Sequence, residues 1–116
     1  MTESNCVFCK IASGQIPAVK LLEDEAAIAF ADLNPQAPTH VLVIPRRHVQ
    51  SLAHVEDADF GEVGKVMHLA ARVARKLGVA EGGYRVVLNS GKDAGQTVEH
   101  LHAHVLGGRQ MAWPPG

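Results

Sequence analysis

The sequence predicts an α+β domain built on a five-stranded, mostly antiparallel sheet with one long and one short helix. Three observations predict it. Short apolar runs of strand length follow one another through hairpin-type connections. A single long stripe of apolar residues at spacings of 3 and 4 supplies one covering helix. The strand runs do not alternate regularly with helices, as a parallel α/β sheet would require. The length of 116 residues fits one domain, 1–116, large enough to bury a core without disulfides.

The elements follow in order. Residues 4–13 suit a short helix, with Ser4 or Asn5 as cap and Gly14 as terminator. After Pro17, two apolar runs at 19–22 and 27–31 are parted by Glu23-Asp24-Glu25 and read as a hairpin. The next loop, Asp32-Leu33-Asn34-Pro35-Gln36-Ala37-Pro38, is fixed by two prolines. His40-Val41-Leu42-Val43-Ile44 is continuous and rich in β-branched residues, the pattern of a strand covered on both faces, and Pro45 ends it. In the long middle segment Phe60, Val63, Met67, Ala70, Ala74 and Leu77 form the helical stripe, widened by Val66 and Val73. Asp57 and Asp59 favour its start, Arg75 and Lys76 its end, and Gly78 its termination. A strand follows at 84–89, then a glycine-containing loop, then a last strand over about 98–106. The tail, 107–116, is irregular.

Composition narrows the function classes. A hydrophobic fraction of 47%, a charged fraction of 20% and a net charge of −1 exclude compositional disorder. They give no reason to expect a nucleic-acid or membrane-surface partner. The first ten residues lack the apolar stretch of a signal peptide, and no apolar run approaches the ~20 residues of a spanning helix, so a cytoplasmic protein is expected. Histidine is the outlier: seven, against three Phe, one Tyr and one Trp. Imidazole titrates near neutral pH, binds metals and attacks phosphorus, so the excess points to site chemistry.

Position sorts the seven. The last strand reads Glu99-His100-Leu101-His102-Ala103-His104-Val105-Leu106, and strand alternation puts His100, His102 and His104 on one face at ~6.6 Å intervals. Leu101, Ala103 and Val105 then face the core. On a helix the three imidazoles would spread over more than half the circumference. Two chemistries suit such a face: a metal with an open position, or attack by the central imidazole on an electrophile. Asn89, Gly95, Gln96 and Thr97, just upstream, offer backbone N–H groups, an amide and a hydroxyl to an anion. No general-base carboxylate accompanies them, since Glu99 belongs to the opposite face. A phosphate site with a histidine nucleophile is favoured over a metal-hydroxide hydrolase. His54 and His68 read as ordinary surface or structural residues.

The segment His100-Leu101-His102-Ala103-His104-Val105-Leu106 resembles the signature of the histidine-triad superfamily. The stretch from Asp32 to His40, Val43-Ile44-Pro45, Gly95-Gln96-Thr97-Val98 and the ending Gly107-Gly108-Arg109-Gln110-Met111 through Trp113-Pro114-Pro115-Gly116 resemble its Hint branch, the purine nucleoside phosphoramidases. The likeness runs from about Phe8 to the end. It implies that His102 is the nucleophile toward the α-phosphorus of a nucleoside phosphoramidate, forming a nucleotidyl-histidine that water cleaves. His104 would contact the phosphate and the departing amine, the His100 carbonyl would hold His102 in its reactive tautomer, and His40 would support the triad. Asn89, Gly95, Gln96 and Thr97 would bind phosphate and ribose. Asp32 would take the ribose hydroxyls, with Leu33 and Phe30 toward the purine. Thr97 stands where a serine is more common. The resemblance also implies a homodimer with a continuous sheet, in which the tail carrying Trp113 reaches the partner's site.

Cys6 and Cys9 sit too close to staple a domain. Cys6-Val7-Phe8-Cys9 has the spacing of half a tetrahedral zinc site, and also of a redox pair, although no strand precedes it. Some bacterial histidine-triad proteins resemble a Cys-x-x-Cys plus two-His arrangement, which implies His48 and His100 as the remaining ligands of a structural zinc. Catalysis itself is expected to need no cofactor.

Overall fold

The computed structural model describes residues 5–116, and the elements run β-hairpin, strand, long helix and strand pair behind a short helix. Five strands, β1 (Lys20–Glu23), β2 (Ala27–Ala31), β3 (Thr39–Pro45), β4 (Tyr84–Val87) and β5 (Ala103–Gly107), form one sheet in the order β1-β2-β3-β5-β4. Every neighbouring pair is antiparallel. Helix α1 spans Val7–Ala12 and helix α2 Phe60–Lys76. The fold is thus the expected α+β class, with a wholly antiparallel sheet.

The central strand β3 explains the architecture. Val41 and Val43 point to α2 and join Ala27, Ala29, Ala103, Val105 and Leu101 in one core. Leu42 and Ile44 point the other way and pack with Ile28, Phe30, Phe8 and Ile11 beneath α1. Both faces are covered, which is why the strand reads as an unbroken apolar run. Small residues on the α2 side let the long helix lie close to the sheet.

Several boundaries and one buried face differ from the sequence expectation. Helix α1 starts later: Cys6 is its cap, its Sγ accepting from the Cys9 N–H at 3.3 Å; Ser4 lies outside the described residues. The strand expected over 84–89 ends at Val87. The last strand is regular only from Ala103, because its partner runs out. Pro45 has no N–H to donate, and its carbonyl accepts from the His100 ring at 2.9 Å, so residues 98–102 have no ladder to join. Instead the Leu101 N–H bonds the Val49 carbonyl at 2.6 Å. On α2 the buried stripe is Val66, Leu69, Ala70, Val73 and Ala74, while Phe60 is 68% exposed and Leu77 36%. The first turn of the helix lies outside the core, whereas Val73, Ala74 and, just past its end, Val79 are buried in it. The start of α2 is a 3-10 turn over Asp57–Asp59, with Asp59 ion-paired to Arg47 rather than capping through its side chain.

Leu69→Ala is therefore expected to cost about 2–5 kcal/mol and Phe60→Ala less than about 0.5 kcal/mol in urea unfolding. The reverse order would restore Phe60 to the core.

Candidate active site

The triad histidines and His40 gather on the α1 face of the sheet; backbone groups fix the tautomers of His100, His102 and His40, and His40 fixes that of His104. His100 is fully buried; its Nε2 lies 2.9 Å from the Pro45 carbonyl. A carbonyl only accepts, so the proton is on Nε2 and the lone pair on Nδ1. His102 is buried with Nδ1 at 2.8 Å from the His100 carbonyl, so its proton is on Nδ1 and its lone pair on Nε2. His40 is set the opposite way. The Gln36 N–H donates to its Nδ1 at 2.9 Å, which leaves its proton on Nε2. That Nε2 lies 2.9 Å from His104 Nδ1 and 3.3 Å from Asp32 Oδ2. His104 accepts at Nδ1 and keeps its own proton on Nε2.

The three imidazoles share a face as the alternation predicted, even though the ladder stops short of two of them. The rings of His102 and His104 have centroids 5.1 Å apart. Phe8 stands edge-on to His100 and His102, at 5.8 and 5.2 Å, and also to Phe30 at 5.6 Å. Sequence reasoning missed Phe8; its only signal was an aromatic inside the Cys-x-x-Cys turn. Burial, with the neighbouring imidazoles His102 and His40, lowers the pKa of His104 from 6.5 to about 4, against the pull of Asp32. His104 is thus a neutral hydrogen-bond donor at pH 7. Burial likewise lowers His100 to about 4.

Two clusters of metal-type side chains result, and the tautomers distinguish them. In the first, the His100 lone pair faces Cys6 Sγ at 3.3 Å and Cys9 Sγ at 3.5 Å, and His48 Nδ1 lies 3.4 Å from Cys9 Sγ. All four donor atoms lie within 4.8 Å of one another. Tetrahedral zinc with its usual bond lengths holds S and N ligands about 3.5 Å apart. The four residues named from the sequence fit a structural zinc, and their two His and two Cys match its donor chemistry. In the second, Asp32, His40 and His104 also converge, but the Gln36 N–H occupies the lone pair of His40 and turns its proton toward His104 Nδ1, with Asp32 Oδ2 3.3 Å away. That group is a hydrogen-bond relay, not a ligand set.

The remaining predicted residues are placed as follows. Asp32, Leu33 and Phe30 line an apolar cavity of about 270 Å³ together with Phe8, Ala18 and Leu42. Leu33 is 94% exposed at its mouth, whereas Phe30 is buried in the wall. Asp32 Oδ1 accepts from the Asn34 N–H at 2.8 Å. The loop before the triad is closed from within: Gln96 bonds the Gln50 and Val98 carbonyls and receives the Gly91 N–H, while the Gly95 and Gln96 N–H groups bond Lys92 and Gly91 carbonyls. Gln96 and Gly95 therefore spend these groups on loop shape, with Gly95 at φ +85°. Among the described residues, those bonds leave the Asn89 amide and the Thr97 hydroxyl unused. Thr97 lines a depression beside Cys6 and His48. Trp113 is 81% exposed beyond the β4 edge, with the Arg85 guanidinium 6.0 Å from its ring. His54 bonds Ser51 at 2.6 Å and His68 is exposed, as ordinary residues would be.

Three alternating histidines running into the last strand of an antiparallel sheet, the central imidazole oriented by the carbonyl two residues before it, define a histidine-triad domain. The family model "HIT domain" matches residues 13–111, and the chain belongs to that family. It is 45% identical to the 14 kDa zinc-binding protein of Zea mays, over 100% of this chain and 91% of that one. It is 41% identical to adenylylsulfatase HINT1 of Arabidopsis thaliana, over 99% and 79%. Among solved structures, a HIT family hydrolase from Legionella pneumophila superposes with a TM-score of 0.93 at 48% identity, covering 97% of this chain and all of that one. A histidine triad protein from Clostridium difficile gives 0.94 at 42%, covering 97% of each. No helix among the described residues is long and apolar enough to cross a membrane.

Two outcomes follow. Metal analysis of purified protein is expected to give close to one zinc per chain, and Cys9→Ser to lose it together with several degrees of Tm; a metal-free chain with unchanged Tm would refute the assignment. The depressed pKa of His104 means the unfolded chain binds this proton first as pH falls. Its contribution is complete above about 6.5, declines below that, and is gone once pH passes about 4. The urea midpoint should fall from pH 7 to 4, and less steeply in His104→Asn; equal slopes would contradict the shift.

Proposed function

We propose that the chain hydrolyses purine nucleoside 5′-phosphoramidates of the AMP-amide type through a nucleotidyl-histidine on His102. The observation that carries this reading is the 2.8 Å bond from His102 Nδ1–H to the His100 carbonyl, which leaves Nε2 with its lone pair available for attack. The adjacent His104 holds its proton on Nε2, so a lone pair and a donor stand side by side. That pairing suits a nucleophile next to an anion's oxygen.

In the proposed reaction Nε2 of His102 bonds the α-phosphorus and the P–N bond breaks. The leaving nitrogen takes up a proton drawn from solvent. Water then adds to the phosphorus, freeing His102 and giving a nucleoside monophosphate and an amine. His104, neutral at pH 7, donates a hydrogen bond to a phosphoryl oxygen. The Asn89 amide and Thr97 hydroxyl serve the same phosphate. The apolar cavity would take the purine against Phe30 and Leu33, with Asp32 at the ribose hydroxyls. The adenylyl substrate in the name of the Arabidopsis relative supports an adenine nucleotide. The zinc of the maize relative's name supports metal at Cys6, Cys9, His48 and His100, where it would tie α1 to the triad. Sheet continuation at the free edge of β4 by a second copy would place the Trp113 tail at the partner's site.

A second reading, a purine-nucleotide-binding regulatory module with incidental turnover, draws support from a histidine triad nucleotide-binding protein of Candida albicans, similar at 32% identity with a TM-score of 0.80 over 95% of this chain and 83% of that one. Turnover decides between them. His102→Ala is expected to lower kcat/KM for adenosine 5′-phosphoramidate at least about a thousand-fold while AMP still binds. Intact-mass detection of an adenylyl adduct confined to His102 would support the mechanism. Slow turnover that survives in His102→Ala would overturn it.

A further inference from the structure

One hydrogen bond decides which nitrogen of His102 carries the lone pair, but it does not decide where that lone pair points. The Nδ1–H donates to the His100 carbonyl at 2.8 Å. Such a bond tolerates bends of about 30° before it weakens much. Nε2 lies across the ring from this anchor, so a swing pivoted there displaces the attacking atom most. A second contact is needed to confine the ring.

Two rings flank it. His104 stands 5.1 Å away between centroids with the planes at 61°, and Phe8 stands 5.2 Å away at 79°. Separations of ~4.5–7 Å with steeply crossed planes are an attractive arrangement for aromatic pairs. His104 is engaged elsewhere, by His40 at 2.9 Å. Phe8 has no polar atom and meets His102 by contact alone.

Phe8 is itself firmly held. It is buried and packs with Ile28, Phe30, Leu42 and Ile44 beneath α1. Its ring also crosses those of Phe30 at 5.6 Å and His100 at 5.8 Å. On either side of it in the chain, the thiols of Cys6 and Cys9 lie 3.3 and 3.5 Å from His100 Nδ1. The turn that carries Phe8 is therefore docked on the residue whose carbonyl holds His102.

We propose that Phe8 is a positioning residue for the reaction: its ring confines the His102 imidazole to the orientation in which Nε2 faces the phosphorus. The idea rests on His102 being the nucleophile, as read above, and gives α1 a part in kcat. Phe8 also lines the apolar cavity, so its loss touches binding too. Kinetics separates the two effects. A cavity wall acts on KM and on AMP affinity, whereas a ring that aims the nucleophile acts on kcat. Misplacing a reacting atom by about 1 Å costs up to about a hundredfold in rate.

The test is Phe8→Leu, which keeps an apolar side chain in the core and cavity wall and removes the ring. With adenosine 5′-phosphoramidate, kcat should fall about ten- to a hundredfold while the Kd of AMP stays within about threefold. A kcat within about twofold of wild type, or a Kd that rises as much as kcat falls, would overturn the proposal. Protein labelled with 13C and 15N histidine supplies a measurement that needs no turnover. In wild type the Cε1–H order parameter of His102 should match rigid backbone, about 0.85. In Phe8→Leu it should drop toward about 0.6, with Nδ1 still protonated because the His100 carbonyl is untouched. A low value already in wild type needs no variant to overturn the proposal, and equal values in the two proteins would do the same. Wild type that binds AMP yet cleaves no phosphoramidate would overturn the hydrolase reading alone, and the order parameters would still decide whether Phe8 holds the ring.

Discussion

The site depends on peptide groups that decide where imidazole protons reside. A carbonyl at a ring nitrogen demands a proton there; an N–H demands a lone pair. Pro45 sets His100, the His100 carbonyl sets His102, and Gln36 sets His40, which in turn sets His104. Four imidazoles thereby become a fixed arrangement of donors and acceptors. The same rule separates the two clusters that donor identity alone would call metal sites. Where the backbone offers a carbonyl, the opposite lone pair is turned toward the thiols; where it offers an N–H, a proton is turned toward His104.

This arrangement requires the strand order. Antiparallel pairing of β3 with β5 sets Leu42 against His104 and His40 against Leu106, so the two histidines come together diagonally on one face. Pro45 closes β3 in such a way that its carbonyl is available to a side chain instead of the ladder. The break in regular pairing at 98–102 is thus not a defect of the last strand. It frees His100 from ladder duty to make three contacts of its own.

Strand alternation made the triad face legible from sequence, because period 2 survives where hydrogen-bonded pairing does not. The cysteine half of the candidate zinc site was legible from its Cys-x-x-Cys spacing, but His48 and His100 only by likeness: nothing in the sequence says they meet the thiols, since the return of the chain over 39 and 94 residues brings them there. The position of the helix stripe was legible but its centre was not. Phe60 fits the 3-and-4 period as well as Leu69 does, and only the width of the sheet decides which finds cover. Gln96 looked like a ligand because its chemistry suits a phosphate. Its amide is instead consumed by three loop bonds, a fate set by loop geometry that composition does not record. The backbone partners of the imidazoles were the least visible of all, since every residue has a carbonyl and an N–H and the sequence does not say which will be spare.

The peptide between His100 and Leu101 joins the Cys6–Cys9–His48–His100 cluster to His102 without sharing a side-chain atom. Its carbonyl orients His102 at 2.8 Å, and its N–H, that of Leu101, bonds the Val49 carbonyl at 2.6 Å. Both ends of this peptide plane are pinned, and Leu101 is 2% exposed beneath them. The His100 ring can turn about its own bonds without moving the carbonyl, so occupancy of the Cys6–Cys9–His48–His100 cluster does not act on His102 by rotating that ring. It acts by restraint. With Cys6 and Cys9 held to His48 and His100, α1 is fixed against the sheet, and Phe8, between the two cysteines, is pressed edge-on against the His102 ring at 5.2 Å. The carbonyl determines which nitrogen of His102 carries the lone pair; Phe8 limits how far that ring can swing. Tautomer and orientation are therefore governed from two directions, one through the peptide and one through helix α1, and they converge on the same imidazole.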